Sequence, residues 1–374
     1  MSDVRIEPWY GNEQTFGTRG APQRWINILG RVSPAERLRS LTYSLNGEPE
    51  RALATGPDKR RLAGVGDFNI ELECSRLRSG DNVVDITATA RDGKRTSRQV
   101  TVGWRLERSY HPSPLPHSVE WNEDEDLPEA AQVVDGLWLR TDDGIRTMEP
   151  GYDRLIAIGD QAWTDYEISV PITVHGVDPT GFRYPSNGPG VGLMTRWRGQ
   201  YQWRREPGFS GSWPLRTLRR LTGRDDWSEL PRWGWWPLGA LGWYRWNRRG
   251  AELSMIGNAG AAIANAPCAE PPRTGETYMF KMRCQSVIGG TGFYGLKVWI
   301  AGDDEPEAWS LRARGAEGEL AHGSAVLVAH HVDATFGDVV VEPLTPRAEA
   351  IESAAVPATP VPSTKPESNI AVTA

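Results

Sequence analysis

Cationic and aromatic side chains recur at every second position of several apolar segments in the C-terminal two-thirds of the chain. In TYMFKMRC (277–284), Lys281 and Arg283 alternate with apolar residues, and in FYGLKVWI (293–300), Lys297 and Trp299 do the same. Because successive side chains of a strand point to opposite faces, these residues are predicted to share one polar face. The predicted face presents Glu167, His175, Arg196, Lys281, Arg283, Lys297, Trp299 and His331.

The chemistry that suits such a face is the binding of a sugar. An aromatic plane stacks on the C–H face of a sugar ring, and charged groups hydrogen-bond to its hydroxyls. The excess of Arg and Lys favours an anionic sugar, since guanidinium groups pair with carboxylate or sulfate in a bidentate fork. The predicted ligand-binding residues are Arg196, Lys281, Arg283, Lys297, Trp299, His175, Trp197 and Trp203. The alternative is a merely solvated face, because a sandwich face that meets water is polar in any case.

Residues 197–249 form the strongest compositional anomaly of the sequence. They hold nine of the 17 tryptophans and 11 Arg against four acidic residues, a local charge of +7 in a chain whose net charge is -6. We interpret the segment as an insertion between two strands, where extra chain is tolerated. Three roles stay open: packing on the sandwich beside its cleft, self-association or partner binding through Trp and Arg, and contact with a membrane interface.

Composition restricts the class of protein. The chain has 374 residues, enough for two domains and a tail, and its negative net charge argues against a general nucleic-acid binder. No stretch is long and apolar enough for a membrane span, and the N-terminus lacks the pattern of a secretory signal, so the cytoplasm is the default expectation. Three cysteines do not make a disulfide framework, and we expect free thiols.

Short alternating segments separated by turn residues define an N-terminal unit over residues 15–105. Phe68, Ile70 and Leu72 alternate with polar residues, and Asn46-Gly47 marks a hairpin turn. About seven such strands are typical of an immunoglobulin-like β-sandwich. Residues 106–130 are rich in Pro and acidic residues, which predicts a semi-rigid linker.

Strand-like segments continue over residues 131–344. The succession DRLIAIGDQAWTDYEISVPITV, GPGVGLMTRW, YGLKVWIAGDDEPEAWSL and ATFGDVVVEP resembles the concanavalin A-like lectin/glucanase superfamily, which includes laminin-G-like modules. The resemblance implies a two-sheet jelly roll whose concave face, or its rim, commonly holds sugar. It also implies that Asp338, in the last strand, is a candidate ligand of a structural calcium ion; otherwise no cofactor is expected. Residues 345–374 lack apolar periodicity and are predicted to be disordered.

The sequence contains no known arrangement of catalytic residues. Glucanases of this superfamily carry carboxylates in an E-x-D-x-x-E strand, and retaining hydrolysis needs two carboxyl groups about 5.5 Å apart. No such run occurs, nor does a motif of the serine hydrolases, zinc proteases or nucleotide-binding enzymes. An atypical hydrolase or lyase site would use Glu167, His331 and Tyr294.

The sequence therefore predicts an all-β protein of two domains that recognises carbohydrate through the concave face of its jelly roll and is not an enzyme. One alternative is a glycan-active hydrolase or lyase with a carboxylate–histidine site. Another is a structural, self-associating or membrane-interface protein that acts through the Trp/Arg insertion. The expected partner is a carbohydrate ligand rather than a nucleic acid, and the oligomeric state is left open.

Overall fold

Strands make up nearly all regular structure of the chain. The computed structural model describes residues 3–58, 60–106, 113–121, 126–183, 188–202, 235–237, 239–247, 250–257, 262–268, 272–287, 292–315 and 319–344. In these ranges the one α-helix is α1 (Leu127–Ala130), and 3₁₀ turns lie at Ala35–Arg37, Cys74–Arg76 and Pro179–Phe182. The predicted all-β class is confirmed. No helix of these ranges has the length and apolarity needed to cross a membrane.

The N-terminal sandwich consists of eight strands. They are β1 (Arg5–Pro8), β2 (Glu13–Phe16), β3 (Trp25–Ser33), β4 (Leu38–Leu45), β5 (Arg51–Leu53), β6 (Asp67–Glu73), β7 (Gly80–Ala90) and β8 (Arg95–Trp104). One sheet has the order β1-β3-β6 and the other has the order β2-β8-β7-β4-β5. The first strand begins at Arg5, ahead of residue 15, where the sequence pattern was expected to start. The immunoglobulin-like relationship of this unit stays a prediction.

The second sandwich comprises the remaining strands. They are β9 (His117–Val119), β10 (Gln132–Asp135), β11 (Trp138–Thr141), β12 (Gly144–Thr147), β13 (Arg154–Ile158), β14 (Tyr166–Val177), β15 (Gly190–Trp197), β16 (Gln200–Gln202), β17 (Trp235–Pro237), β18 (Ala240–Asn247), β19 (Gly250–Ile256), β20 (Ala262–Pro267), β21 (Thr277–Ser286), β22 (Gly292–Ile300), β23 (Leu311–Arg314), β24 (Ser324–His330), β25 (Val332–Phe336) and β26 (Val339–Pro343).

Two large sheets enclose the core of this sandwich. The seven-stranded sheet has the order β10-β13-β24-β15-β18-β19-β20. The nine-stranded sheet has the order β11-β12-β25-β14-β21-β22-β23, with β26 beside β14 and β9 beside β26. Strand β14 shows why the sheets pack: Tyr166, Ile168 and Val170 are buried, whereas Glu167 and Ser169 between them are half-buried. Alternate apolar side chains thus fill the space between the sheets, and the residues between them point outward.

Part of the predicted linker belongs to the second sandwich. Strand β9 pairs with β26 over His117–Val119, and Val119 and Trp121 are buried in the core between the two sheets. Trp121 also donates its indole N–H to the carbonyl oxygen of Gly337 at 2.8 Å. The prediction of a linker over residues 106–130 is therefore wrong for His117–Val119 and Trp121. The prolines of this segment suggested a linker, but it contains a short strand, and its apolar residues are buried.

The Trp/Arg insertion is shorter than residues 197–249. Trp197 ends β15, and Ala240–Asn247 is β18, which pairs directly with β15 inside the seven-stranded sheet. Trp243 and Trp246 are thus strand residues rather than parts of a loop. The remaining insertion lies in sequence between β16 and β17, which pair with each other. Residues 203–234, with Trp203, lie outside the described residues, as does the predicted tail 345–374.

A buried ionic cluster joins the two sandwiches. Arg61 of the N-terminal sandwich lies 2.6 Å from Asp135 at the end of β10 and 2.6 Å from Glu71 in β6. Asn69 adds hydrogen bonds to Asp135 Oδ1 and to the Val134 carbonyl. Because each buried charge has an opposite partner, the junction avoids the penalty of an isolated ion in the interior.

Candidate functional site

The register of the nine-stranded sheet brings four of the predicted ligand residues together on its outer face. Glu167 of β14 lies opposite Arg283 of β21, which lies opposite Gly295 of β22. One rung further along, Lys281 lies opposite Lys297. The flanking residues in each strand are buried between the sheets, so these side chains point away from the core. Trp299 continues the same face two residues after Lys297.

The centre of this face is an indole that the sequence analysis missed. Trp309, in the segment between β22 and β23, lies directly over Gly295, where a Cβ would come within 2.6 Å of Trp309 Cε3. The Arg283 guanidinium carbon lies 5.0 Å and the Lys297 Nζ 4.9 Å from a Trp309 ring centroid. Both distances are within the range of a cation–π contact. The absent side chain of Gly295 thus makes room for an aromatic plane that contacts two cations.

Two carboxylates balance the cations around this indole. Glu167 pairs with Arg283 at 2.5 Å, and Glu305 pairs with both Lys281 and Lys297. Partial burial opposes ionisation of Glu305, but the hydrogen bonds from the two lysines outweigh it and lower the pKa of the carboxyl. We call this group the Trp309 site; its members are Glu167, Lys281, Arg283, Lys297, Glu305 and Trp309.

His175 is on the same sheet face but away from the Trp309 site. It lies eight residues beyond Glu167 in β14, about 26 Å at the rise of a strand. Its Nε2 lies 2.8 Å from Thr335 Oγ1, and burial together with the nearby Arg146 lowers its pKa. His175 therefore cannot contact a small ligand bound at Trp309.

Arg196 does not lie on this face, which corrects the prediction: it belongs to β15, a strand of the seven-stranded sheet. The pairing of β15 with β24 shifts register between Met194 and Trp197, and Arg196 has a φ of 53° in this bulge. Its guanidinium is buried and donates to Asp165 at 2.8 Å and to Ser286 Oγ at 3.0 Å. Arg196 joins the ends of the two sheets, which is a structural role.

The other aromatic candidates are separated from the face as well. Trp197 is fully buried and packs in an apolar cluster with Met194 and Trp243 of the seven-stranded sheet. Tyr294 points between the sheets, and its hydroxyl lies 3.2 Å from Glu319 Oε2. Burial raises the pKa of Tyr294 well above its usual value. Since Tyr294 and Glu167 lie on opposite faces of one sheet, the predicted catalytic set of Glu167, His331 and Tyr294 is not assembled.

His331 lies in a different cluster, at the turn between β24 and β25. Its Nδ1 is 3.0 Å from Asp178 Oδ2, and the neighbouring His330 Nδ1 is 2.6 Å from Asp153 Oδ1. Tyr152 makes edge contacts with both imidazole rings. Burial lowers the pKa of His331, although Asp178 opposes the shift. Asp153 and His331 have φ values of 44° and 54°, a strained conformation that often marks functional sites.

Asp338 has a capping role rather than the surroundings of a calcium ligand. Its Oδ1 accepts a hydrogen bond from the Trp121 backbone N–H at 3.2 Å. Across the described ranges, no three His, Cys, Asp or Glu side chains are grouped so that they could hold a metal ion. Calcium binds six to eight oxygen ligands, and within the described part of the chain Asp338 belongs to no such group.

Comparison with known proteins gives distant structural likeness only. No family model and no curated protein matches the sequence. The exoplasmic/lumenal domain of VIP36, in a Ca2+/Man3GlcNAc-bound form, has a TM-score of 0.36 and 11% identity over 63% of this chain and 92% of that one. A Bacillus subtilis protein with a galectin-like fold has a TM-score of 0.35 and 10% identity, covering 62% and 96%. Arcelin-5, a lectin-like defense protein from Phaseolus vulgaris, has a TM-score of 0.24 and 6% identity, covering 87% and 100%.

Proposed function

We propose that this chain binds carbohydrate at the Trp309 site and that the bound glycan is anionic. One observation carries the proposal: an indole plane lies on the sheet at Gly295, within cation–π distance of both Arg283 and Lys297. Sugar rings present a C–H face that stacks on an indole, while their hydroxyl and acid groups need hydrogen-bond donors at the ring edge. The Trp309 site supplies both kinds of group on one surface.

The arginines of the surface favour an acidic sugar. Arg283 belongs to the Trp309 site, and Arg312 and Arg314 of β23 are exposed beside Gly295 and Phe293, where within the described part of the chain neither makes an ion pair. The loop that carries Glu305 and Trp309 also holds Asp303, Asp304 and Glu307, so the preference rests on the guanidinium groups and not on a net positive charge. Guanidinium groups recognise carboxylate and sulfate in a bidentate manner, so uronic acids or sulfated sugars fit this surface better than neutral ones.

A glycan array with neutral, uronic-acid and sulfated oligosaccharides tests the proposal. Wild-type protein should retain acidic glycans, and Trp309→Ala should weaken binding about tenfold or more, which is the loss expected of a central aromatic contact. Arg283→Ala should weaken acidic glycans more than neutral ones because it removes a charge.

Arg39→Ala is the matched control, since Arg39 is an exposed arginine of the N-terminal sandwich. That variant should bind like wild type. Binding by Trp309→Ala equal to wild type, or no retained glycan at all, would remove the Trp309 site as the binding surface.

A second candidate function is proton transfer on a glycan at His331. The specific observation is that two neighbouring imidazoles each have Nδ1 held by a carboxylate, in a backbone with left-handed φ at Asp153 and His331. A carboxylate at Nδ1 fixes the tautomer and leaves Nε2 as the basic nitrogen. Release of reducing or unsaturated sugars from a polysaccharide panel, lost in His331→Ala and kept in His175→Ala, would establish it. No release by wild type would refute it.

A further inference from the structure

The two lysines of the Trp309 site form an anion-binding pair. Lys281 and Lys297 lie directly opposite each other across β21 and β22, and their side chains are only 16% and 9% exposed. Like charges in directly opposed positions destabilise a sheet unless an anion lies between them. A negative group at this position therefore offsets the repulsion between the two ammonium groups.

That negative group comes from a surface loop rather than from the sheet. Glu305 lies between β22 and β23, and its carboxylate bridges the pair, with Oε2 on Lys281 and Oε1 on Lys297 at 2.7 Å. Its side chain is 37% exposed, far more than either lysine. A carboxylate whose two oxygens each accept from one ammonium has the geometry that the acid group of a uronic sugar or a sulfate would adopt there.

We propose that Glu305 is an internal competitor that occupies the acid-group subsite of the Trp309 site and is displaced by anionic glycan. The inference rests on the proposed function and adds a selection step to it. We call the displacement of Glu305 by the acid group of a glycan the gate. Displacement requires only a rotation of the Glu305 side chain, because the ends of the loop are held independently. Ala301 N donates to the Thr277 carbonyl, and Val298 N donates to Ser310 Oγ next to Trp309. The Trp309 indole can thus stay on Gly295 while an acid group of the glycan replaces the Glu305 carboxylate between the two lysines.

The gate would select glycans with closely spaced acid groups. A ligand with a single carboxylate replaces the two contacts of Glu305 with the lysines by two equivalent contacts of its own, so it gains nothing. A ligand with several acid groups also reaches Arg283 and the exposed Arg312 of the adjoining strand, and these additional contacts favour displacement. Glu305 would therefore set a threshold of charge density that a glycan must exceed.

The experiment compares Glu305→Gln with wild type by isothermal titration calorimetry. The probes are a galacturonate octamer, its methyl ester, and a heparin octasaccharide. Glutamine keeps the size of the side chain but removes the competing charge, so Glu305→Gln should bind at least one acidic octamer about fivefold tighter, or about 1 kcal/mol. Affinity for the methyl ester should not change.

Glu307→Gln is the matched control, because Glu307 is exposed in the same loop and makes no ion pair with any described residue. It makes the net charge less negative by the same amount and should change affinity less than twofold. Urea unfolding of each variant verifies that the fold is retained.

The outcomes separate the gate from the proposed function. Wild type and Glu305→Gln binding both acidic octamers equally would overturn the gate while the Trp309 site stands. Equal gains in Glu305→Gln and Glu307→Gln would also overturn it, since the effect would then be one of net charge. If neither the array nor the octamers show any binding by wild type or Glu305→Gln, the proposed function fails and the gate with it.

Discussion

Substitution of Gly295 by alanine should separate ligand binding from stability. An alanine Cβ at this position would lie 2.6 Å from Trp309 Cε3, 2.7 Å from Cδ2 and 3.0 Å from Cζ3. Carbon atoms in van der Waals contact are about 3.5–4.0 Å apart, so the indole must move by about 1 Å or leave the sheet. The Trp309 indole would then be displaced from its position beside Arg283 and Lys297, although no charged residue of the Trp309 site is changed.

The free energy of unfolding should fall moderately in this variant. The Arg283 and Lys297 side chains are 32% and 9% exposed, so their cation–π contacts with Trp309 are partly buried and worth about 0.5–2 kcal/mol each. Replacing glycine by alanine in a compatible strand conformation returns about 0.4–1 kcal/mol through the unfolded chain. We therefore expect a net loss below about 4 kcal/mol in urea unfolding, and a loss of glycan affinity of about tenfold or more.

Gly176→Ala is the control for this experiment, because Gly176 lies in β14 and a Cβ there would meet no heavy atom within 4 Å. It should leave glycan affinity unchanged in calorimetry. If Gly295→Ala retains wild-type affinity, the indole seated on Gly295 is not the binding platform and the reasoning is refuted.

Two further predictions concern stability. Arg61→Ala should lower the free energy of unfolding by about 3–5 kcal/mol in urea, since it leaves Asp135 and Glu71 buried without their cation. The control Arg95→Ala breaks an exposed pair with Glu50 and should lower it by less than about 1 kcal/mol. Losses of similar size in the two variants would contradict the role of burial. Burial lowers the pKa of His117 to about 4, so the folded chain keeps this imidazole neutral while the unfolded chain binds a proton below about pH 6.5. From pH 7 to pH 5 wild type should lose about 2 kcal/mol more than His117→Gln, and parallel losses would argue against the neutral, buried imidazole.

Alternation in the sequence predicts most of the outer face correctly. Lys281, Arg283 and Lys297 lie on one side of the nine-stranded sheet with Glu167, as the period of two requires. A sheet buried on one face leaves little freedom of register, because a shift of one residue would expose every apolar side chain. The binding role of these residues stays a prediction.

The errors arise because alternation within one strand does not tell which of the two sheets the strand joins. Arg196 ends β15, and His331 follows β24, and both strands belong to the seven-stranded sheet, so their outward residues cannot share the outer face of the nine-stranded sheet. Local geometry adds to the error, since Arg196 lies in a bulge and His331 in a turn, with φ values of 53° and 54°. Period-two arguments hold only within an unbroken ladder.

Trp309 was missed although the sequence contained a signal for it. Gly295 interrupts FYGLKVWI in mid-strand, and a glycine there often marks the close approach of another group. The signal reveals that something lies over the strand but not which residue, because the contact depends on how the loop between β22 and β23 returns across the sheet. The position of Glu305 between two lysines depends on the same loop.

A crystal structure of the protein with a galacturonate or heparin octasaccharide would test the central claim most directly. We predict a sugar ring in van der Waals contact with the Trp309 indole, an acid group between Lys281 and Lys297, and the Glu305 carboxylate rotated away from both. A glycan bound elsewhere on the chain, with the indole and Glu305 as described above, would contradict the account.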